Sequence, residues 1–306
     1  MFLTQVIFLL SLTCVLSLTN MARYSLRQPF SNENWLNDGS AHYTESFLRL
    51  TNSIRSQKGF SYNTLKVNFP YWEVHLGFRV HGESVSLFGD GLAFWYAEKF
   101  DYGDAFGMLH KFKGLGVFLD TYNNQNNGAK GNFPLISAMI NDGSKIYDHE
   151  VDGARHRTLG CNLNFRNSET YNILKIKYYK ETLSVSYVDK EKNVECFTES
   201  NVFLPTNLYF GVSSATGDLH DNHDIYFIDV YHIEDDVKED RSNVVPRQGN
   251  YVPYNQNIDS SSGYSFFRIL INIFLYTLLI IVILVGVAFA YKFYQKRQEN
   301  RLKRFY

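Results

Sequence analysis

Between Phe118 and Asn127 an apolar run ends in an acid, and an aromatic and an amide follow at every second position: Asp120, Tyr122, Asn124. That alternation is the pattern of a strand running out into a loop, where residues of one parity share a face. It sets hard oxygen donors beside an aromatic ring, an arrangement that suits a calcium ion with a polar ligand next to it. A second acidic stretch, Tyr147-Asp-His-Glu-Val-Asp-Gly153, brackets His149 with Asp148 and Asp152. Together the two stretches offer enough carboxylate and amide oxygen for one cation. Spacing alone does not separate such a site from a solvated acidic turn. An EF-hand is excluded, because no Asp-x-Asp-x-Asp-Gly loop with a glutamate at its twelfth position occurs.

Short strands must position these residues. Trp72, Val74, Leu76, Phe78 and Val80 fall on one face, and Glu73, His75, Arg79 and His81 on the other, a half-buried strand. Leu92–Tyr96, Leu115–Leu119, Ile136–Ile140, Leu208–Ser213 and Ile225–Ile233 read as further strands, and Phe47–Ile54 alternates. Ile173–Tyr178 and Leu183–Val188 flank Lys180-Glu181 as a hairpin. Tyr24–Phe30 reads as a lead-in strand, Trp35–His42 as turn-rich around Asp38-Gly39, and Asp101–Met108 as a short loop. With 25 Phe and 22 Tyr but 6 Pro in 306 residues, and no long amphipathic helix between 25 and 233, the economical architecture is an all-β sandwich.

The two ends have a different character. Residues 1–22 read as a signal peptide, although no Lys or Arg precedes the apolar run, and cleavage near Thr19 and near Ala22 both remain open. No charge interrupts Ile269 to Tyr291, long enough to cross a ~30 Å hydrocarbon core as one transmembrane helix. Lys292, Lys296, Arg297, Arg301, Lys303 and Arg304 follow it, so the positive-inside rule places the tail, 292–306, in the cytosol. Residues 23–235 form the lumenal domain of this type I arrangement, and 236–268 read as a flexible stalk. Cys14 leaves with the leader, and Cys161 and Cys196 remain as an even pair in an oxidising compartment; a disulfide is the natural reading, two buried thiols the alternative. A formal net charge of −1 argues against a nucleic-acid partner.

Gly89-Asp90-Gly91-Leu-Ala-Phe-Trp95, Phe118-Leu-Asp-Thr-Tyr122, Tyr147-Asp-His149, Gly160-Cys161, and Gly217-Asp218-Leu219 with Asp221-Asn-His-Asp224 occur in that order. In this the chain resembles the leguminous-type (L-type) lectins of the animal early secretory pathway. Its tail, with Lys296-Arg-Gln-Glu-Asn300 and the ending Lys303-Arg-Phe-Tyr306, is similar to that of the vesicular integral-membrane protein subgroup. The resemblance implies a concanavalin-like jelly-roll sandwich of two antiparallel sheets, with sugar at the rim of the concave one. It implies calcium held by Asp120, Asp152, Asn124 and the backbone carbonyl of Tyr122. High-mannose glycan would be held by Asp90, Asn124, His149, Gly217, Asp218 and Leu219, with Ser56 further along the glycan arm. A cis peptide would precede Asp90, and Cys161–Cys196 would be the family disulfide. High-mannose glycoproteins are then the expected cargo and coat proteins the partners of the Phe305-Tyr306 ending, in ER, ER–Golgi intermediate and Golgi membranes.

Two other classes remain in view. Related jelly rolls carry glycosidases with a Glu-x-Asp-x-Glu triad; Glu150-Val-Asp152 begins that pattern, but Ala154 stands where the second glutamate must be. Retaining hydrolysis needs two carboxylates, so the sequence predicts no enzyme. The alternative to a lectin is a membrane adaptor that binds folded protein cargo independently of sugar. Two departures from the relatives stand out: the Asp101–Met108 loop, expected to alter the rim, and Asn123 where proline is common, expected to loosen the calcium loop.

Overall fold

The structure, a computed structural model, describes residues 17–126, 133–158, 160–189, 191–235 and 239–249. Most of the expected leader, the expected transmembrane helix and the tail lie outside the described residues. Among the described residues no helix is long and apolar enough to cross a membrane.

Antiparallel strands account for almost all regular structure. In chain order they are β1 (Leu18–Asn20), β2 (Trp35–Gly39), β3 (His42–Tyr43), β4 (Leu48–Thr51), β5 (Lys58–Asn63), β6 (Trp72–His81), β7 (Gly91–Ala97), β8 (Tyr102–Ala105) and β9 (Lys113–Asp120). There follow β10 (Leu135–Asp142), β11 (Cys161–Asn162), β12 (Asn172–Tyr179), β13 (Thr182–Asp189), β14 (Lys192–Ser200), β15 (Val202–Phe203), β16 (Tyr209–Ala215), β17 (Asn222–Ile233) and β18 (Arg247–Gln248). One sheet runs β14-β13-β12-β6-β17-β4-β3 with β1 also on β17, and the facing sheet runs β11-β10-β9-β7-β16-β5-β2. This is the expected sandwich of two antiparallel sheets.

Period-two patterning explains why the sheets face each other. Trp72, Val74, Leu76, Phe78 and Val80 of β6 are fully buried and meet Leu92, Phe94 and Tyr96 of β7 and Leu115, Val117 and Leu119 of β9 in the main core. Fully burying a side chain of this size stabilises the fold by about 1.5–3 kcal/mol. The second sheet is buried on its other face too. There Trp95, Phe118 and Met139 form a separate cluster with Phe106, Met108, Phe112 and Tyr147, which come from the segments crossing that face. The crossing segments are therefore pinned: the Trp95 indole donates to Ser213 Oγ at 2.7 Å, and Ser213 Oγ donates to the Phe106 carbonyl at 2.7 Å.

Several elements differ from their sequence reading. Tyr24–Phe30 is no strand; only Leu26 bridges Ile228, because turns at Met21–Ser25 and Arg27–Phe30 interrupt the ladder on both sides. Trp35–Gly39 is an edge strand on β5 rather than a turn-rich segment. The Asp101–Met108 loop contains β8, and Phe106 and Met108 (1% and 0% exposed) serve as anchors beneath the rim. Asn123, expected to loosen its loop, is buried. Leu18–Asn20, within the expected leader, pairs with Ile233–Tyr231. The first part of the expected stalk is docked: Arg241 is 1% exposed, and β18 pairs with β15. Its guanidinium donates to Glu239 at 2.8 Å, to the Tyr178 hydroxyl at 2.9 Å and to the Leu204 carbonyl at 3.2 Å, and it also reaches Glu181.

Cys161 and Cys196 form a disulfide that ties β11 of one sheet to β14 of the other.

Candidate functional site

The ends of three neighbouring strands build the rim. β9 pairs with β7, and β7 with β16, so that Asp120 lies opposite Gly91, and Gly91 opposite Ala215. The Gly89–Asp90 peptide is cis, and the Asp90 backbone is held on both sides: its N–H donates to the Ala215 carbonyl at 3.4 Å and its carbonyl accepts from Thr121 N–H at 3.0 Å. Gly91 follows with φ +135°, and a Cβ there would sit 2.2 Å from the Leu119 carbonyl oxygen, so only glycine lets the chain turn from Asp90 into β7.

Beyond β9 the chain leaves the sheet and enters a single 3-10 turn, Asn124–Asn126, which meets a second, His149–Val151. Asp148 opens the second turn by accepting from Glu150 N–H, and Asp152 closes it in the left-handed region, φ 51°. Gly153 continues there at φ 67°, and a Cβ at that position would be driven into the Tyr147 ring at 2.5 Å. The two turns are cross-linked by Asn124 N–H donating to Asp152 Oδ1 at 3.1 Å and by Gln125 Nε2 donating to the Val151 carbonyl at 3.0 Å.

The result is a cradle with open oxygens. Asp120 and Asp152 are 2% and 1% exposed. One oxygen of each is engaged by a backbone amide: Asp120 Oδ1 by Tyr122 N–H at 3.0 Å, and Asp152 Oδ1 by Asn124 N–H. The second oxygen of each carboxylate, and Asn124 Oδ1, are buried with no hydrogen-bond partner among the described residues. Leaving such acceptors unpaired costs about 1–3 kcal/mol apiece, more for charged ones. Burial first, and the neighbouring Asp152 second, push the Asp120 carboxyl well above its usual range; burial likewise raises Asp152. Among the described residues no three His, Cys, Asp or Glu side chains gather round one point. The open donors are instead two carboxylates and an amide, all oxygen, the set that suits a hard divalent cation such as calcium.

The other expected residues surround Asp90. A Cβ on Gly217 would lie 3.6 Å from Asp90 Oδ2, and one on Gly89 would lie 3.2 Å from the Cβ of Tyr122 and 3.7 Å from that of Leu219. Tyr122 and Leu219 thus flank the Asp90 turn. His149 lies near enough to act on Asp90: burial raises the Asp90 carboxyl, and the His149 charge counters it. The His149 ring meets Phe106 edge-on at 6.0 Å, and its Nδ1 is buried without a partner among the described residues. Ser56 is exposed at φ 58°, and its N–H donates to the Gly217 carbonyl at 3.1 Å. Asp218 is 93% exposed and lies 3.8 Å from Arg55. Every expected site residue therefore lies at one end of the sandwich.

Sequence reasoning passed over Arg157, whose Nη1 is buried without a partner among the described residues and whose charge opposes the upward shift of both Asp120 and Asp152. It also passed over Thr216, which accepts from Gln57 N–H at 2.9 Å and donates to the Ile54 carbonyl at 2.7 Å, fixing the Ser56 loop. His223 is buried on β17 and bonded to Thr51 Oγ1 at 2.7 Å. His75 and His81, on the outer face of β6, pair with Glu73 and Asp224.

Residues 19–240 match the Legume-like lectin family. The chain is 36% identical over 287 residues to the human vesicular integral-membrane protein VIP36, covering 89% of this chain and 79% of that one. It is 34% identical over 300 residues to the VIP36-like protein of Pongo abelii, covering 92% and 84%. Among solved structures it is similar to the VIP36 exoplasmic/lumenal domain in its Ca2+/Man3GlcNAc-bound form, with a TM-score of 0.70, 36% identity, and coverage of 74% of this chain and 99% of that one. With the family match spanning most of the chain and the two-sheet fold in agreement, the protein belongs to the legume-like lectin family.

Proposed function

We propose that the protein is a calcium-dependent lectin for the mannose residues of high-mannose N-glycans, and that it serves as a cargo receptor between ER and Golgi. The observation that carries this reading is the buried cradle of Asp120, Asn124 and Asp152, each with an open oxygen, set beside Asp90 and Gly217. A relative sharing 36% of its residues was solved with Ca2+ and Man3GlcNAc, which supports the same ligands here. In this reading the Tyr122 carbonyl adds to the three side-chain ligands, and calcium supplies the charge that lets both buried acids stay ionised.

The chain's own residues then hold the sugar. Asp90 accepts hydrogen bonds from mannose hydroxyls, the Asn124 amide donates to them, and Gly217, Asp218 and Leu219 present backbone and side-chain groups opposite. His149 and Ser56 extend the surface along the glycan arm. The Tyr122 ring offers an apolar face to the pyranose. Charge-assisted bonds contribute ~1.5–3 kcal/mol each, less on a wet rim, so one site binds weakly and avidity comes from multivalent display.

A glycan array probed with and without calcium tests this. High-mannose binding is expected with calcium and absent after EDTA or in Asp90→Ala; binding that survives both removes this site as the active surface, and no glycan binding even with calcium points to the adaptor reading, in which protein and not sugar is recognised. The Phe305-Tyr306 ending is assigned to coat-protein recognition at ER exit. Replacing both by alanine is expected to accumulate the protein in the ER, and an unchanged distribution would remove that assignment.

A further inference from the structure

The three loops that carry the sugar-site residues have a second side. Ser53 lies on the loop of Ser56, Gly82 begins the loop that ends in Asp90, and His220 and Asn222 follow Leu219. With Arg79 and His81 from the outer face of β6, these residues wall a cavity of about 570 Å3. None of them is assigned to mannose or calcium.

The walls are rich in donors. Across β4, β17 and β6 the register places Arg49 and Arg79 on either side of Asp224, two guanidiniums to one carboxylate. Arg49 takes that carboxylate with two bonds, 2.7 and 2.9 Å, and His81 Nε2 adds a third at 2.9 Å. Asp221, the other buried acid, is matched by Arg166 at 2.8 Å through both oxygens. Arg79 is left over: its Nε donates to the Ser168 carbonyl at 3.2 Å, and its two terminal nitrogens have no partner among the described residues. His220 uses Nδ1 on Ser53, and Asn222 uses its oxygen on Ser53 N–H, so His220 Nε2 and the Asn222 amide nitrogen remain available. The one acid on the wall, Glu83, is exposed on the rim. A half-buried guanidinium without a carboxylate, with imidazole and amide donors beside it, calls for a ligand that only accepts, and a planar fork matches an oxyanion.

We propose that this cavity is a second binding site, for the oxyanion of a phosphorylated or sulfated sugar, with Arg79 as its principal contact. A saccharide is favoured over a free anion because the walls are continuous with the mannose-binding loops. Ligand here also bears on mannose, since the hydrogen bond from Ser56 N–H to the Gly217 carbonyl and that from Ser53 N–H to Asn222 join the same loops from the two sides.

The test uses the full-length, calcium-loaded protein in detergent. Phosphorus NMR titration with inorganic phosphate and with mannose 6-phosphate is expected to show saturable binding of both, the sugar phosphate tighter by about tenfold or more. Arg79→Gln should weaken both by about tenfold, Arg79→Lys, which keeps the charge but not the fork, should fall between the two, and mannose binding on the same samples should stay within about twofold. Mannose binding by Arg79→Gln certifies that the variant is folded. Its loss in the wild type would instead strike the lectin assignment, which the phosphate titration does not depend on. Absence of phosphate binding, or equal binding by Arg79→Gln, overturns the site. Equal affinity for the free anion and the sugar phosphate overturns the saccharide as its ligand.

Discussion

Asp120 and Asp152 each spend one oxygen on a backbone amide and keep the other open, which makes the pair costly until a cation arrives. Asp120→Ala is expected to weaken calcium binding by on the order of a hundredfold and to abolish mannose binding with it, as read by calorimetry. In the wild type, calcium at about 100 times its Kd should raise the unfolding free energy by about 2.7 kcal/mol, a gain absent from the variant. His223 sets a separate pH dependence. Burial pushes its folded pKa down to about 3, while the unfolded chain titrates near ~6.5. Between those values the unfolded state binds the extra proton, so the stability this group confers is complete above ~6.5 and is lost as pH falls towards 3, at up to about 1.4 kcal/mol per unit. His223→Asn should flatten the urea-midpoint profile between pH 7 and 5 by that slope. Asp90, Asp120, Asn124 and Asp152 were legible because ordered motifs carry them. His223 was not, since the strand read from the sequence begins at Ile225, whereas β17 starts at Asn222. Arg157 was equally hidden, because nothing in an irregular turn announces where a distant guanidinium will point.

At the scale of elements, the strands with clean alternation, β6 above all, were readable because one face is buried and the other is not. β14 was not, because its few apolar residues, Val194, Cys196 and Phe197, fall out of period two where the ladder shifts register, and the rest of this edge strand is polar. Yet β14 carries half of the covalent link between the sheets. Removing the Cys161–Cys196 bridge as a double serine variant should cost about 3–4 kcal/mol by the chain-entropy account, measured by denaturant titration in the absence of reductant. The segments crossing the second sheet were also under-read. Phe106 looked like part of a short polar loop, but it stacks on Phe118 at 5.5 Å and meets His149, so the rim rests on a second apolar cluster. The Lys180-Glu181 turn was anticipated from its flanks. Both residues sit at positive φ, 45° and 55°, as a two-residue hairpin of this handedness demands.

For the molecule as a whole, the sandwich followed from composition and pattern, while the placing of 239–249 did not, since a polar, proline-containing stretch reads as linker until its one buried cation is seen. Arg241→Ala takes one donor each from the Tyr178 hydroxyl, Glu239 and the Leu204 carbonyl, empties a buried position, and should destabilise the domain by about 2–4 kcal/mol in thermal or chemical unfolding. That same clamp has a mechanical meaning. Tension applied along the chain from its C-terminal side meets the two-residue β18–β15 ladder first and the Arg241 guanidinium next, before it reaches β17. β17 is an interior strand of its sheet, paired with β6, β4 and β1, and the loop before it carries Gly217–Leu219. Load is therefore dissipated at the far anchor, and a ligand on the rim is shielded from pulling on the chain end until the clamp gives way.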